Sequence, residues 1–599
     1  MSPVAPQAPP HRRRLLAVAA FALTLAPILF HAVHLAEYGR LQRDGYYGVL
    51  LQLSRDGVQF DDSFSSYWNA RSQGHRIALP ALIWRGNAAL TGGDNRATAS
   101  LALALLVGLV ALGRRFVPRP RSPEGWAVTV LLAWFLAGPH LTDRLARSFG
   151  GVPDVLAAAL SLAAIAALLR LETPWRRRAS AVALGVLGIL TFGSSLALWP
   201  ALALGVLWRR RSPGDAAAVA GGAIIAVLLF RQGQTPGGEL PAAGQLIEYL
   251  LAFLGALPHP DAAVAQAVGA VGLLIFTAAL GAATWRSLRP GQNVDEPVPA
   301  DIAFWLMAAT YAVGNGVLVG VGRGHAGPEE ALAIRYIFFP SLFWVSLLAL
   351  ALHPRLRPAA DAARLLAVAA VAALSLAGAV DRGFHSSQSF RESARWQRLV
   401  ETQLRHGAWD ADLLRLAVTD SPQALIASEP RSFFRSLGHI PWDRPMEALS
   451  GRALDPSLAT GGGAEVGEFV ELTVTANPRV ARVGGWVIGD DTLHEVVFTD
   501  DRGRVRSRIH LWPHGQLEGR LKWAGLVTWH PDWKTWTPFA VRADGSFSPL
   551  LPKRYVASKW RAWARSRTPS APPSPPATPG SRAQSPATDD PAAGEAPRD

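Results

Sequence analysis

Long apolar runs separated by short polar segments dominate the first 380 residues of the chain. Single runs lie at about 15–36, 97–113, 126–141, 152–170, 216–230, 262–284, 301–321, 336–352 and 362–380. Most of them approach the roughly 20 residues that a helix needs to cross the hydrocarbon layer of a membrane. The pattern therefore predicts a bundle of membrane-spanning helices.

One further apolar stretch, residues 180–208, has arginine clusters at both ends. Because cationic segments remain on the cytoplasmic side of a membrane, the chain must go out and come back here. We expect the turn near residues 191–195, within two short crossings or a re-entrant pair of helices. With this pair the chain makes about eleven crossings.

The crossings also predict which segments lie on each side. Residues 1–14 are expected in the cytoplasm, and the run at 15–36 is longer than the 7–15-residue core of a cleaved signal peptide, so we interpret it as a retained anchor. Residues 37–96 then form a long outer loop, and everything after residue 380 lies outside. Two outer segments, 75–90 and 246–257, are predicted to be amphipathic helices in the membrane interface.

The C-terminal third changes character. Residues 381–467 are mixed and partly helical, whereas 468–550 contain short alternating segments with a hairpin signal at 500–503. Residues 551–599 are rich in proline, alanine and serine, which is typical of a disordered tail. The predicted fold class is an all-α polytopic membrane protein with a C-terminal, extracytoplasmic, mostly-β domain.

Composition supports this fold class and excludes several others. Half of the residues are hydrophobic and only 17% are charged, a balance that is unusual for a soluble protein. Since cysteine is absent, disulfide scaffolds, thiolate nucleophiles and cysteine metal sites are excluded. The composition is rich in alanine, proline and arginine with only four lysines, from which we infer a bacterial inner-membrane protein.

The formal charge of +14 does not indicate a nucleic-acid partner. Most arginines lie in short clusters between apolar runs, at 12–14, 114–115, 176–178 and 209–211. That is the distribution of cytoplasmic membrane loops, and no basic patch is interleaved with stacking aromatic residues.

Acidic, basic and tyrosine side chains collect in the segments predicted to face outward. They are Glu37, Asp44, Asp61, Asp62, His75, Arg76, Asp143, Arg144, Arg147, Asp154, Arg335 and Tyr336. Ionisable groups beside the bilayer are costly unless they are paired or face water, so this collection is a candidate site.

Four of these segments, taken in order, resemble the GT-C superfamily of integral membrane glycosyltransferases. They are an acid followed by two tyrosines (44–47), an Arg-x-x-x-Pro helix (76–80), an acid at a helix start (153–154) and an Arg-Tyr at a late helix mouth (335–336). The resemblance covers residues 10–380. It implies transfer of a sugar from a polyprenyl-phosphate donor to a glycan or lipid-linked acceptor on the outer face.

The resemblance also implies catalytic carboxylates. Asp44 would deprotonate the acceptor hydroxyl, with Glu37 as its rival for that role and Asp154 as a further catalytic acid. Each has a structural alternative: a solvated loop carboxylate for Asp44, and a helix N-terminal acid for Asp154.

Donor phosphate would be held by Arg76 and Arg335, with His75 and Tyr336 assisting. Arginine matches phosphate oxygens with its planar fork, although either arginine can instead extend toward lipid headgroups. No cofactor is predicted. A divalent cation at Asp61 and Asp62 is an alternative, but no second acid stands beside Asp44.

Two other function classes remain open. A non-catalytic scaffold or carrier for lipid-linked glycans would keep the groove without the chemistry. A transporter would need broken helices repeated in both halves, and only 180–208 shows such a break. Tryptophans of the β region either stack on sugars or fill a core: Trp486, Trp512, Trp523, Trp529, Trp533 and Trp536.

Overall fold

A helical bundle is followed by two small sheets in the computed structural model. It describes residues 10–38, 41, 46–53, 60–72, 75–209, 211–232, 240–288, 297–356, 362–405, 459, 467–474, 480–488, 493–510, 514–517, 520–528, 535–542, 546–550 and 555–556. The predicted disordered tail lies outside these residues except for 555–556. Residues 406–458, the larger part of the predicted mixed region, also lie outside them.

Seventeen α-helices and one short hairpin are described. They are α1 Pro10–Leu35, α2 Tyr46–Gln52, α3 Phe64–Trp68, β1 Arg71–Ser72, β2 His75–Arg76, α4 Ala78–Thr91, α5 Asn95–Arg114, α6 Pro123–Leu136, α7 Thr142–Ala146, α8 Ser148–Arg170, α9 Pro174–Ile189, α10 Leu198–Trp208, α11 Pro213–Arg231, α12 Ala243–Gly255, α13 Ala262–Leu288, α14 Ala300–Arg323, α15 Pro328–Ala331, α16 Phe338–Ala351 and α17 Ala362–Arg405.

Seven helical segments of the described chain are long and apolar enough to cross a membrane. They are Arg14–Leu35, Asn95–Arg114, Pro123–Ala146, Gly151–Arg170, Pro213–Arg231, Ala262–Leu288 and Ala300–Ala326. Each contains or overlaps one of the apolar runs predicted from the sequence. The total of about eleven crossings depends on shorter helices and stays a prediction.

The predicted out-and-back stretch is a broken pair of short helices. α9 has 16 residues and α10 has 11, and the 3-10 helix Gly193–Ala197 joins them, close to the expected turn. At the opposite end of the pair, Arg177 donates to both carboxylate oxygens of Asp215 at 3.1 and 2.7 Å. Arg178 Nε also donates to Asp215 Oδ1 at 3.2 Å, so two arginines of the cluster at 176–178 fasten α9 to α11.

Two helices begin or end at residues different from those predicted from the sequence. The interfacial helix expected from residue 75 begins at Ala78, because His75 and Arg76 instead pair as β2 with β1. Pro80 lies in the first turn of α4, where its missing N–H costs no hydrogen bond. α17 runs 44 residues without interruption, across the boundary predicted at residue 380.

Buried apolar side chains form one large core in the bundle. α14 and α16 lie at its centre, whereas α1, α11 and α13 expose most of their apolar side chains. Serine and aspartate caps begin several helices: the Ser122 hydroxyl accepts from Gly125 N at 3.1 Å, and Asp94 accepts from Arg96 N at 2.9 Å.

The C-terminal strands form two antiparallel sheets. Their strands are β3 Gly467–Val474, β4 Val480–Ile488, β5 Leu493–Thr499, β6 Val505–His510, β7 His514–Leu517, β8 Arg520–Thr528, β9 Thr535–Arg542, β10 Phe547–Pro549 and β11 Tyr555–Val556. The orders are β3-β4-β8-β7 and β10-β9-β5-β6, with β11 beside β9. The predicted hairpin at 500–503 is confirmed: it joins β5 to β6, and Gly503 has φ +70°.

Candidate functional site

The broken pair α9–α10 ends inside the bundle. The Ser161 hydroxyl of α8 donates to the Ser195 hydroxyl at the tip of the pair, over 3.2 Å. Ser161 lies midway along α8, so the tip reaches only about half the length of that helix. The end of the bundle beyond the tip is therefore built from other elements.

A buried ion pair connects α7 to α8 at this end. Arg144 Nη2 pairs with Asp154 Oδ2, and the Arg144 side chain is 1% exposed. The other carboxylate oxygen, Asp154 Oδ1, is buried and has no hydrogen-bond partner among the described residues. A buried acceptor oxygen without a partner requires an explanation, and a donating water or ligand would supply one.

Tyr311 of α14 lies between this pair and the tip of α9–α10. Its side chain is fully buried, its hydroxyl lies near Ser161, Ser194 and Asn315, and it interacts electrostatically with Asp154. Within the described part of the chain, neither the Tyr311 hydroxyl nor the Ser194 hydroxyl makes a hydrogen bond of regular geometry. Two further polar atoms thus face the same region.

Two further tyrosines, Tyr336 and Tyr249, extend this series of electrostatic neighbours beyond Arg144. Tyr336 precedes α16 and interacts electrostatically with Arg144. The buried hydroxyl of Tyr249, on α12, approaches Tyr336 and interacts with Arg323 and Arg335. It too lacks a hydrogen bond of regular geometry among the described residues.

His75 packs against the tip of α9–α10 from the first loop. Its ring lies 4.5 Å from that of Phe192 and 6.1 Å from that of Phe230, measured between centroids. A Cβ atom at Gly193 would lie 2.6 Å from His75 Nδ1, so only glycine permits this approach. Burial, and then the charge of Arg323, lower the pKa of His75 and keep its imidazole neutral near pH 7.

Arg76 is buried beside His75. Its guanidinium lies 4.7 Å from the centre of the Trp68 ring, and Nη2 donates to the Gln232 side chain at 3.0 Å. The residue is only 5% exposed, and yet its Nε and Nη1 atoms have no hydrogen-bond partner in the described chain. Burial lowers the pKa of Arg76, yet arginine keeps its charge at neutral pH. Two donors are therefore available for an anion.

Electrostatic interactions, with the Arg144–Asp154 ion pair among them, link these side chains into a closed series of neighbours. From His75 it passes to Arg323, through the two tyrosines to Arg144 and Asp154, and through Tyr311 back to the tip beside His75. We call this set the polar ring: His75, Arg144, Asp154, Ser194, Tyr249, Tyr311, Arg323 and Tyr336. Arg76 and Arg335 border it.

The structure brings together most of the residues predicted for the site. Asp154, His75 and Tyr336 belong to the polar ring. Asp44 lies outside the described residues, so its position relative to the ring stays a prediction. Glu37 forms an ion pair with Arg391 of α17 at 3.6 Å, not with a member of the ring.

The acid pair of the first loop serves a structural contact. Asp62 accepts from Arg85 Nε at 3.0 Å, from Arg85 Nη2 at 3.1 Å and from the Tyr67 hydroxyl at 2.5 Å. The Arg85 hydrogen bonds, together with that from Tyr67, lower the pKa of Asp62, while burial and the Asp62 contact raise the pKa of Tyr67 to about 12. The Asp62 carboxylate, 57% exposed, therefore makes a structural contact in the described chain, and a cation at Asp61 and Asp62 stays an alternative.

Five members of the ring have no role in the sequence-based prediction. Arg144 is predicted beside Asp154 without a role, Ser194 lies in the expected turn, Arg323 lies just beyond an apolar run, and Tyr249 and Tyr311 lie inside apolar runs. The chain has only eight tyrosines. A phenol inside an apolar helix requires a polar partner, and this requirement was the available signal.

Among the described residues, no group of three or more histidine, aspartate and glutamate side chains is arranged to hold a metal ion. The chain matches no protein-family model. It also has no significant similarity to a curated protein. The function must therefore be inferred from the polar ring itself.

Proposed function

We propose that the protein is a membrane glycosyltransferase of the GT-C type, which moves a sugar from a polyprenyl-phosphate donor to a cell-envelope acceptor. The observation that carries the proposal is the polar ring, with buried and unpartnered oxygen and nitrogen atoms, at one end of a bundle of apolar helices. A lipid-linked sugar needs both an apolar surface for its tail and polar partners for its headgroup.

Charge at the site suits transfer from a phosphate. Arg76 offers two buried donors, and Arg323 and Arg335 add two further guanidinium groups. These groups would stabilise the phosphate as it leaves, since charge-assisted hydrogen bonds are strongest on a developing anion. His75 and Tyr336 would contribute neutral hydrogen bonds.

The transfer step is an inverting substitution at the anomeric carbon. The acceptor hydroxyl oxygen bonds to that carbon while the bond to the phosphate oxygen breaks, and polyprenyl phosphate leaves with the bonding electrons. The hydroxyl proton passes to a carboxylate. Asp154 is already paired with Arg144, which suits this residue to holding a hydroxyl, so deprotonation is assigned first to Asp44.

The opposite end of the bundle supports an orientation with the polar ring outside the cytoplasm. Arginines converge there: Arg170 donates to the Arg115 carbonyl at 2.8 Å, and Arg211 donates to the Leu168 carbonyl at 3.1 Å. Clusters of arginine are typical of the cytoplasmic side.

Tight packing at the arginine-rich end favours transfer over transport. Trp305 Nε1 donates to the Phe116 carbonyl at 3.1 Å, and the rings of Phe116 and Phe304 stack with centroids 3.9 Å apart. Trp208 is fully buried nearby. A transport path would have to cross this group of packed aromatic side chains, whereas a transferase needs access from only one end of the bundle.

The test is sugar transfer by the purified protein in lipid nanodiscs. Radiolabelled polyprenyl-phosphate mannose and polyprenyl-phosphate glucose are supplied with envelope lipid extract, and labelled product is measured. We expect transfer from at least one donor, and a loss of about 10²–10⁴-fold in Asp44→Asn, which lacks the base. A protein that binds donor but transfers no sugar would be a scaffold, and the proposal would fail.

A further inference from the structure

Glu330 lies between two arginines at the border of the polar ring. Its Oε1 atom pairs with Arg335 Nη2 and accepts from Arg323 Nη1 at 3.4 Å. The Glu330 side chain is 26% exposed, less than either arginine. One carboxylate oxygen therefore occupies the space on which both guanidinium groups converge.

Tyr249 provides a second, independent observation at this position. Its side chain is fully buried, and its hydroxyl interacts electrostatically with both arginines and approaches Tyr336. Within the described residues this hydroxyl makes no hydrogen bond of regular geometry. The guanidinium group of Arg335 lies 5.0 Å from the centre of the Tyr336 ring, which fixes its position over the site. A buried hydroxyl therefore lies in the electrostatic neighbourhood of both guanidinium groups.

We propose that the Glu330 carboxylate occupies the binding site of the donor phosphate in the ligand-free protein and is displaced when the donor binds. This inference rests on the proposed function. A carboxylate and a phosphodiester each carry one negative charge. Replacing the Glu330 carboxylate with the donor phosphate therefore leaves the net charge of the site around the two arginines unchanged. The phosphate offers more acceptor oxygens, and the Tyr249 hydroxyl supplies a donor that Glu330 leaves unused.

The backbone around Glu330 is held, so displacement is a side-chain movement. Ala331, the next residue, is fully buried. Arg382 of α17 donates to the Leu332 carbonyl at 3.1 Å and to the His259 carbonyl at 3.2 Å. Rotation about the side-chain bonds of Glu330 releases both guanidinium groups without moving the backbone of residues 330–332.

Glu330 then competes with the ligand, and removing its charge should strengthen phosphate binding. Glu330→Gln keeps the size of the side chain and abolishes the competing anion. Each partly exposed ion pair is weak, so the expected gain in affinity is about three- to tenfold. Glu329→Gln is the matched control, because Glu329 is adjacent and forms no ion pair with either arginine within the described residues.

The experiment titrates undecaprenyl-phosphate mannose, a phosphodiester, into the full-length protein in nanodiscs without acceptor and measures binding by native mass spectrometry. We expect tighter binding in Glu330→Gln, no change in Glu329→Gln, and loss of the gain in Glu330→Gln/Arg335→Ala. Inorganic phosphate is titrated in parallel: a gain with both ligands identifies a site for phosphate in general, and a gain with the lipid alone identifies one that also needs the tail.

Unchanged or weaker binding in Glu330→Gln would overturn the inference and make the contact a structural ion pair. Glu330→Ala repeats the test if the glutamine variant has a lower melting temperature than the unmutated protein. Sugar transfer is measured separately. Tighter binding in Glu330→Gln without any sugar transfer would support the phosphate-binding site and reject the proposed glycosyltransferase function. Sugar transfer without tighter binding in Glu330→Gln would reject only the role of Glu330.

Discussion

Arg144 and Asp154 place opposite charges inside an apolar bundle. Neither charge is stable there alone, because desolvation is costly and water does not reach Arg144, which is 1% exposed. The pair therefore fastens α7 to α8 and leaves Asp154 Oδ1 without a hydrogen-bond partner among the described residues. The structural role of this pair and the functional role proposed for Asp154 concern the same side chains, and experiment must separate them.

Asp154→Leu should destabilise the protein by about 3–5 kcal/mol, because it leaves the Arg144 charge buried without its partner. Arg144→Leu/Asp154→Leu should recover most of that loss but not sugar transfer. Thermal denaturation in one detergent and the transfer assay measure the two quantities. Asp62→Leu is the control: its pair with Arg85 is exposed, and its loss should cost about 1 kcal/mol or less. Full recovery of transfer in the double variant would leave Asp154 a purely structural role.

The acidic and basic residues of the candidate site were easier to predict from the sequence than its buried tyrosines. Asp154, His75 and Arg335 were predicted because charge beside an apolar run is costly and needs a reason. Tyr249 and Tyr311 were not, since a tyrosine in an apolar helix is compatible with ordinary core packing. Their role depends on tertiary neighbours such as Ser194 and Arg323, which periodicity does not specify.

At the scale of elements, the broken pair α9–α10 determines where the site lies. Its two helices are too short to span about 30 Å of hydrocarbon, so their joint ends within the bundle. The N–H of Leu79 at the start of α4 donates to the Leu190 carbonyl at 3.1 Å, which fixes the first loop over that joint. Hydropathy and charge predicted the turn. They did not predict that β2 would rest on it.

Gly193→Ala should disturb this junction specifically. The added Cβ would lie 2.6 Å from His75 Nδ1 and 2.7 Å from Phe230 Cε2, so β2 or the tip must move. We expect a loss of about 1–3 kcal/mol in stability and a larger relative loss in donor binding. Gly221→Ala on α11 is the matched control, because nothing lies within 4 Å of its added atom. Equal donor binding in both variants would show that the junction does not shape the site.

At the scale of the whole molecule, the two ends of the bundle differ in chemistry. One end carries the polar ring, and the other carries buried aromatic residues and arginines. The long apolar helices were predictable because their length and composition admit few alternatives. The shorter helices α10, α12 and α16 were less certain, since a run of 11–14 residues fits a crossing, a re-entrant segment or a core helix equally.

Opposite compartments are predicted for the two sides. The chain has no cysteine, so single cysteines can be introduced without background labelling. In intact cells, a membrane-impermeant maleimide should label Asp501→Cys in the β5–β6 turn, and should label Arg121→Cys only after permeabilisation. The unmutated chain is the blank. Labelling of both variants in intact cells, or of neither, would contradict the predicted topology and the outward position of the polar ring.

The most direct test of the central claim is a structure of the protein in nanodiscs with a polyprenyl-phosphate sugar bound. We predict that the phosphate contacts Arg335 in place of Glu330, that the sugar lies within the polar ring beside Asp154, and that the tail follows the apolar helices outward. A saturating donor whose phosphate lies elsewhere, with the polar ring unchanged and Glu330 still between its arginines, would contradict the account.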